Sequence, residues 1–513
     1  MNEKARMASS TSLVVVATKT SLLDRDLEIP DVATILEVRG DLNQNISPSW
    51  LRDRFSGKLL YSLPGRCQQG EAMGPLTSRH QALIKAAREY DLVQLDADCD
   101  LCEVLAAIAA EKRLICWKGA AGDMAYLRSV FQRISSVPAR LYSMIIEGSS
   151  VQDGVKPLLL LKELGRSDLT AICEGQSGFW TRILAPHFGA PLAVGTLDQG
   201  PIGNSGEPSI QQLLEDYGFP ELHPVCEIYG IVGNRAFRSL SPRLHNAGYR
   251  SLHYPALFLP FHVETFEDFW QDVIQASVLE PLGLQIRGLT IASPYKEAAF
   301  AAALSPSPIA CRAAASNIIV HRNNLWEAHT TDPESVAAIT GNGHNLAEPF
   351  KAAVIGCGGA GRAIAASLQQ AGANVTLVNR GKERGQLAVS LLGLPFMPLS
   401  DFEPAAFSLL VNATPVGIDE EYIPFEIDAV RTGTTVVDLA YGPRPTPLAT
   451  GIAARGGTVI DGYDVLLNQV RKQFLLMTGW ELPARIGRET ATRRYFVPRV
   501  PEQGNYKMGT RCR

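Results

Sequence analysis

Short runs of β-branched and aliphatic residues punctuate the first 220 positions: SLVVVAT, TILEVRG, KLLYSLP, LVQLDAD, RLICWKG, ARLYSMII, LTAICEG and PLAVGTL. Between most of them apolar residues recur at helical spacing, as in SRHQALIKAAREY and DMAYLRSVFQRI. Strands alternating with amphipathic helices in this way predict a (β/α)8 barrel over residues 11–222. A new unit opens near residue 225, in GFPELHPVCEIYGIVGN, and mixes strands and helices to about residue 330. The strand KAAVIG and further βα alternation to about residue 460 predict a nucleotide-binding domain of the Rossmann type. DVLLNQVRKQFLLMTG predicts a helix over 464–480.

Composition changes little in this picture. The 513 residues are 46% hydrophobic and 19% charged with a formal net charge of −4, an ordinary globular balance without a global field for nucleic acid. Only the end is basic: Arg485 to Arg513 holds eight Lys or Arg against two Glu, which predicts a solvated tail. Nine cysteines cannot all pair within one chain, and Cys99 and Cys102 form a lone C-x-x-C without a second ligand pair, so no metal site is expected. With no secretory signal pattern and no membrane-length apolar run, a cytoplasmic chain without membrane partners is the expectation.

The clearest chemistry lies in AAVIGCGGAGRAIAASLQQAGANVTLVNRGKER. Gly356, Gly358 and Gly361, with Gly359 between them, form G-x-G-x-x-G between an apolar strand and a helix. Such a turn lets a pyrophosphate approach the backbone at a helix N-terminus. An NAD site usually carries Asp or Glu at the end of the next strand. Here Asn379 stands there, followed by Arg380 and Arg384, and guanidiniums suit a 2′-phosphate, so NADP is the expected cofactor.

Other polar clusters surround this motif in order: Ser239 and Ser241 in FRSLSPRLHN, Lys296 in SPYKEAAF, Asn317 in ASNIIV, and Asp332 in HTTDPES. Asn412, Thr414 and Pro415 follow in NATPVG, then Tyr441 in DLAYGPRPTPL and Gln469 in DGYDVLLNQV. Taken together these motifs resemble the shikimate dehydrogenase family over residues 226 to about 480. The resemblance implies a substrate domain at 226–332, completed by the 464–480 helix, an NADP domain at 333–463 and a basic tail at 481–513. It implies that Ser239 and Ser241 hold the substrate carboxylate and that Lys296 and Asp332 form the catalytic pair. Asn317 and Gln469 would bind substrate hydroxyls, with Tyr441 beside them, and Asn412, Thr414 and Pro415 would line the nucleotide. The chemistry agrees, because a lysine beside an aspartate can move the hydroxyl proton and stabilise the oxyanion as hydride moves. Arg238, Ala292, Ile318 and Thr330 depart from the family pattern, which leaves quinate or an aminated relative open as substrate.

A dehydrogenase of this kind behind an eight-stranded barrel resembles the bifunctional 3-dehydroquinate dehydratase–shikimate dehydrogenases. EVRGD matches the dehydratase substrate motif with Glu37 and Arg39, and EGQSGFWTRILAPHFGAPL keeps Arg182. The dehydratase mechanism implied by that resemblance needs a lysine that forms a Schiff base with the ketone. Ser143 stands at the lysine position, Lys118 at the histidine, Pro64 and Gln68 at an arginine and a glutamate, and Glu207 where glutamine is expected. The barrel is therefore expected to lack dehydratase activity and to persist as a scaffold or binding module. A working bifunctional enzyme and a non-catalytic pathway sensor are the rival readings.

Overall fold

The computed structural model describes residues 11–17, 29–42, 47–63, 76–102, 104–197, 206–336, 350–418, 422–442 and 444–492. Pro64, Gln68 and the chain beyond Thr492 lie outside them. Three sheets organise the described residues. The first holds β1 Ser12–Ala17, β2 Ile35–Arg39, β3 Lys58–Ser62, β4 Leu92–Asp96, β5 Arg113–Ala120, β6 Leu141–Glu147, β7 Leu169–Glu174 and β8 Leu192–Thr196. These strands coincide with the apolar runs of the sequence and pair in parallel in the order 7-6-5-4-3-2-1-8. The ladder does not run between β7 and β8, so the barrel is nearly closed rather than closed. Its interior is packed low down by Val14, Ile35, Leu60, Leu92, Leu114, Cys116 and Leu192. Helices between the strands start on local signals, as where the Asp123 carboxylate accepts from the Tyr126 N–H at 2.8 Å and caps Met124–Ser135.

The second sheet is mixed and runs β10-β9-β11-β13-β14-β12, from β9 Glu227–Gly233, β10 Ala256–His262, β11 Gln285–Ile291, β12 Ser305–Pro306, β13 Ile318–Arg322 and β14 Leu325–His329. The third is wholly parallel: β15 Lys351–Ile355, β16 Asn374–Asn379, β17 Phe396–Pro398, β18 Leu409–Asn412, β19 Thr435–Asp438 and β20 Thr458–Ile460. Its order, 17-16-15-18-19-20, is the doubly wound order with its switch point between β15 and β18, where such sheets bind ligands. The helix Gly462–Thr478 then returns to the second sheet and packs Leu466, Leu467, Val470, Phe474 and Met477 into its core.

The barrel is fused to the second unit through its last three βα repeats, and Lys162 on the helix after β6 donates to the Pro281 carbonyl at 2.8 Å. Trp180, on the helix after β7, packs its ring 6.0 Å from that of Phe261 on β10. Asp216, after the last barrel helix, accepts from Arg243 Nε at 2.6 Å, and its carbonyl accepts from Asn246 Nδ2 at 3.0 Å. One apolar core runs from Leu13 through Trp180 and Phe261 to Ala328. The tail does not begin as a solvated segment. Ile486 and Ala491 are buried, Arg243 donates to the Ala491 carbonyl, and Arg488 pairs with Asp461 and Asp464. The sequence placed basic residues there, but not the carboxylates that receive them.

His245 is sealed in this second unit, stacked on Phe258 at 4.3 Å. Burial pulls it down from 6.5 to about 3, so it is neutral in the folded protein. Between pH 6.5 and 3 the unfolded chain binds the extra proton, so stability falls as pH falls through that window. From pH 7 to pH 5 this histidine alone removes about 2 kcal/mol, at ~1.4 kcal/mol per pKa unit. Urea midpoints at the two pH values check it, and His245→Leu is expected to flatten the difference.

Candidate active site

The polar residues singled out in the sequence gather at one edge of the second sheet. Strands β9 and β11 are parallel neighbours, with Val232 paired to Ile291, so the loops carrying Ser239 and Lys296 leave side by side. Strand β13 runs antiparallel to β11 and starts at the same edge, next to Asn317. Strand β14 runs antiparallel to β13 and ends there, delivering Asp332.

Lys296 is the first residue of the helix Lys296–Ala302. Its Nζ donates to Asp332 Oδ1 at 2.9 Å and Oδ2 at 2.7 Å. The lysine side chain is 17% exposed and the aspartate 3%, so the ammonium alone reaches the open side of the pair. Asp332 is held from three directions. Gln469 Nε2 donates to Oδ1 at 3.1 Å and Thr330 Oγ1 to Oδ2 at 3.3 Å. Thr330, a departure in sequence, therefore still supplies a donor to the carboxylate. Gln469 is turned to Asp332 in this structure.

Asn317 supports the same loop: its Oδ1 accepts from the Thr331 N–H at 2.8 Å, and its Nδ2 donates to Thr331 Oγ1 at 3.1 Å. Gln473, which none of the sequence motifs marks, also donates to Thr331 Oγ1 at 3.1 Å. A signal for it was present, since Gln469 and Gln473 are four apart on one helix and share a face. Ala292 fills the space left by Gly233, on which a Cβ would meet the alanine methyl at 2.8 Å. Ile318 is fully buried.

Ser239 and Ser241 bond each other at 3.1 Å, and the Ser241 N–H also donates to Ser239 Oγ at 3.1 Å. Ser241 opens the helix Ser241–Leu252, so its hydroxyl stands at a helix N-terminus, a place that favours an anion. Tyr441 lies beside Ser239, and burial raises its phenol while the serine hydroxyl draws it partly back.

The glycine turn lies against this group. Gly356 adopts φ +106°, and a Cβ on Gly361 would stand 1.8 Å from the Gly356 carbonyl oxygen, so both positions require glycine. A Cβ on Gly358 would meet nothing within 4 Å, which leaves open space where the helix Gly359–Gln370 starts without a side-chain cap. Unpaired N–H groups and open space together fit a pyrophosphate. Asn379 braces the turn, accepting from the Cys357 N–H at 3.2 Å and donating to the Gly381 carbonyl at 2.8 Å. Arg380 and Arg384 are exposed just beyond β16. Asn412 is fully buried and donates to Asp438 Oδ1 at 2.8 Å. It accepts from Thr414 Oγ1 at 2.6 Å, so it shapes the loop bearing Thr414 and Pro415. Asp438 is raised by burial, with Thr446 and Asn412 drawing it back.

The barrel mouth is different in kind. Arg39 does not pair with Glu37. Its fork turns to Asp41, with Nε–Oδ1 at 2.8 Å and Nη2–Oδ2 at 2.5 Å. Lys118, 4% exposed, holds Glu174 at 2.6 Å and lies 3.7 Å from Glu147. Arg182 lies 3.7 Å from Glu207. Each of these three cations thus already has an internal carboxylate. Burial raises the Glu37 carboxyl, Ser62 lowers it, and Glu207 raises it further. Ser143 sits level with Cys116 and Thr170 on the neighbouring strands, one layer below the Lys118 level.

Comparison with known proteins agrees with this geometry. The family profile described as shikimate dehydrogenase substrate binding domain matches residues 231–319. The shikimate dehydrogenase (NADP(+)) of Haloarcula marismortui is 33% identical over 262 residues, 50% of this chain and 95% of that protein. The chloroplastic bifunctional 3-dehydroquinate dehydratase/shikimate dehydrogenase of Arabidopsis thaliana is 29% identical over 332 residues, 61% of this chain. That match spans about half the relative's length, 54%. The solved shikimate 5-dehydrogenase of Thermus thermophilus, in complex with NADP(H) and shikimate, is 30% identical with a TM-score of 0.46, covering 52% of this chain and 98% of that one. The polar constellation at one sheet edge, the doubly wound nucleotide sheet and an identity of 33% across 95% of a relative lead to one conclusion: the chain belongs to the shikimate dehydrogenase family, with a nearly closed parallel barrel joined in front.

Proposed function

We propose that this chain is an NADP-dependent shikimate dehydrogenase that interconverts 3-dehydroshikimate and shikimate. The observation that carries it is the Lys296–Asp332 pair, bonded through both carboxylate oxygens and set against the glycine turn. NADPH, when bound, supplies the hydride. Ser239 and Ser241 fix the substrate carboxylate at a helix N-terminus, which sets the ring's orientation. Lys296 gives its proton to the oxygen of the ketone as negative charge develops there, and takes it back in the reverse direction. Asp332 keeps the ammonium aimed and compensates its charge, while Gln469 and Thr330 keep the aspartate from rotating. Asn317 acts through Thr331 as well as toward the substrate.

Ala292 and Ile318 offer apolar groups where hydroxyls are expected, and this favours quinate or an aminated relative as the second reading. A sensor reading is not favoured, because the acid–base pair and the nucleotide turn are both intact. Small molecules are the partners of this reading, with neither nucleic acid nor membrane. No helix of the described residues is long and apolar enough to cross a membrane, and a reducing cytoplasmic setting suits the seven free cysteines among them.

The test is turnover of purified protein on shikimate and on quinate, each with NADP+ and with NAD+. Shikimate with NADP+ is expected to give the highest kcat/KM; no turnover of shikimate sinks the proposal. Replacing Arg380 and Arg384 together by Ser is expected to raise the KM for NADP+ about 10²–10⁴-fold, since charge-assisted bonds contribute ~1.5–3 kcal/mol each. The KM for NAD+ should barely move. An equal rise for both nucleotides would show that the arginines do not read the 2′-phosphate.

A further inference from the structure

The nucleotide-binding turn and the substrate domain meet along a line of small residues. A Cβ on Gly359 would stand 2.8 Å from Ala315 Cβ and 3.2 Å from Lys296 Cβ. Ala313, Ala315 and Ala363 form a buried cluster beside it. Backbones can approach so closely only because these side chains are minimal, and glycine at 359 puts the start of the nucleotide helix directly on the lysine.

One long side chain crosses this line. Arg362 lies in the first turn of the nucleotide helix and is 1% exposed. Its Nε donates to the Ala313 carbonyl at 2.7 Å, its Nη1 to the Cys357 carbonyl at 3.2 Å, and its Nη2 to Glu297 Oε1 at 2.7 Å. Ala313 ends a helix of the substrate domain, Pro308–Ala313. Cys357 belongs to the glycine turn, and Glu297 follows Lys296 in the same helical turn. One planar guanidinium therefore joins the turn that faces the pyrophosphate, the helix that carries the lysine, and a second wall of the substrate domain. A lysine at 362 has a single nitrogen and lacks the rigid fork needed to span three acceptors.

We infer that Arg362 is a positioning residue for hydride transfer. It fixes the separation between the nucleotide turn and the Lys296 helix, so that hydride and proton arrive at the same carbonyl group together. Arg362 is sealed behind the turn and acts through Cys357 and Glu297. Glu297, 56% exposed, serves as the charged anchor at the outer end of the bolt. The inference rests on the reading of Lys296 as proton donor.

The experiment compares full-length wild type with Arg362→Met, Arg362→Lys and Glu297→Gln. Three quantities are read: kcat on shikimate, the NADPH dissociation constant from nucleotide fluorescence without substrate, and the urea midpoint. Misplacement of reacting groups by about 1 Å costs on the order of 10²-fold, so Arg362→Met is expected to lose about 10–100-fold in kcat. Its NADPH dissociation constant should stay within about 3-fold, because the phosphate-facing N–H groups are unchanged. Arg362→Lys should recover only part of the loss, and a few millimolar guanidinium should partly restore Arg362→Met. Glu297→Gln, which keeps an acceptor, should lose less than Arg362→Met. A kcat within about twofold of wild type in Arg362→Met overturns the inference. So does a parallel fall of kcat, NADPH affinity and urea midpoint, the mark of a mere strut. Absence of wild-type turnover on shikimate and on quinate alike overturns the reading of Lys296, and this inference with it.

Discussion

Replacing Lys296 by Met lowers turnover of shikimate by about 10²–10⁴-fold, the usual weight of a positioned general acid–base group. Methionine nearly matches the length of the side chain but offers no proton. The loss should fall on kcat and kcat/KM alike, because the proton moves only as the transition state forms. The fold should survive the change. Asp332 would lose its ammonium partner, but Gln469 Nε2 and Thr330 Oγ1 remain within 3.1 and 3.3 Å of its oxygens. A buried carboxylate with two donors left costs far less than one with none. Steady-state kinetics on shikimate with NADP+, alongside a urea midpoint, separate the two effects. Turnover within about tenfold of wild type would mean that another group supplies the proton.

The second large expectation concerns the barrel: wild-type protein given 3-dehydroquinate without nucleotide forms no conjugated product. The Ser143 hydroxyl cannot form an imine, and the family mechanism has no electron sink without one. Lys118 is the nearest substitute, but Glu174 holds its nitrogen at 2.6 Å and Glu147 lies 3.7 Å away. Imine formation needs a free amine, and this one is committed. The internal carboxylate Asp41 likewise occupies the Arg39 fork, and Glu207 lies 3.7 Å from Arg182. Ultraviolet absorbance follows the product, and borohydride with mass analysis follows the imine. Steady product with a reduced adduct on Lys118 would overturn this account, because it would show that the Glu174 pair opens when substrate arrives. Glu37 and Arg39 thus answer differently from their appearance in sequence. They share a face of β2, yet the arginine serves the turn that follows, through Asp41 two residues on.

Much of the fold could be read along the chain because its signals are local. The eight barrel strands stand out as apolar runs, and helix starts such as Asp123 lie within a turn of what they cap. The closing helix, expected at 464–480, spans Gly462–Thr478, displaced because Asp461 caps it by accepting from the Tyr463 and Asp464 N–H groups. The gap between β7 and β8 was not legible, since whether two strands form a ladder depends on their tertiary register and no residue pattern within them marks it. Nor was the docking of Ala491, whose carbonyl accepts from Arg243, 248 positions away.

The sequence by itself carried the signals for the proposed reaction class and cofactor. A glycine turn, the arginines after the next strand and a lysine and an aspartate in ordered motifs carry that information in residue identity and spacing, which need no coordinates. Tertiary structure decided how those groups are held. Only in three dimensions does Gln473 reach Thr331, does Arg362 bridge Glu297 to the glycine turn, and does Glu174 take Lys118. Each of these bonds joins segments separated by 56 to 142 positions. Direction and distance between such segments are set by how sheets stack and strands register, and the order of residues alone does not encode them in readable form.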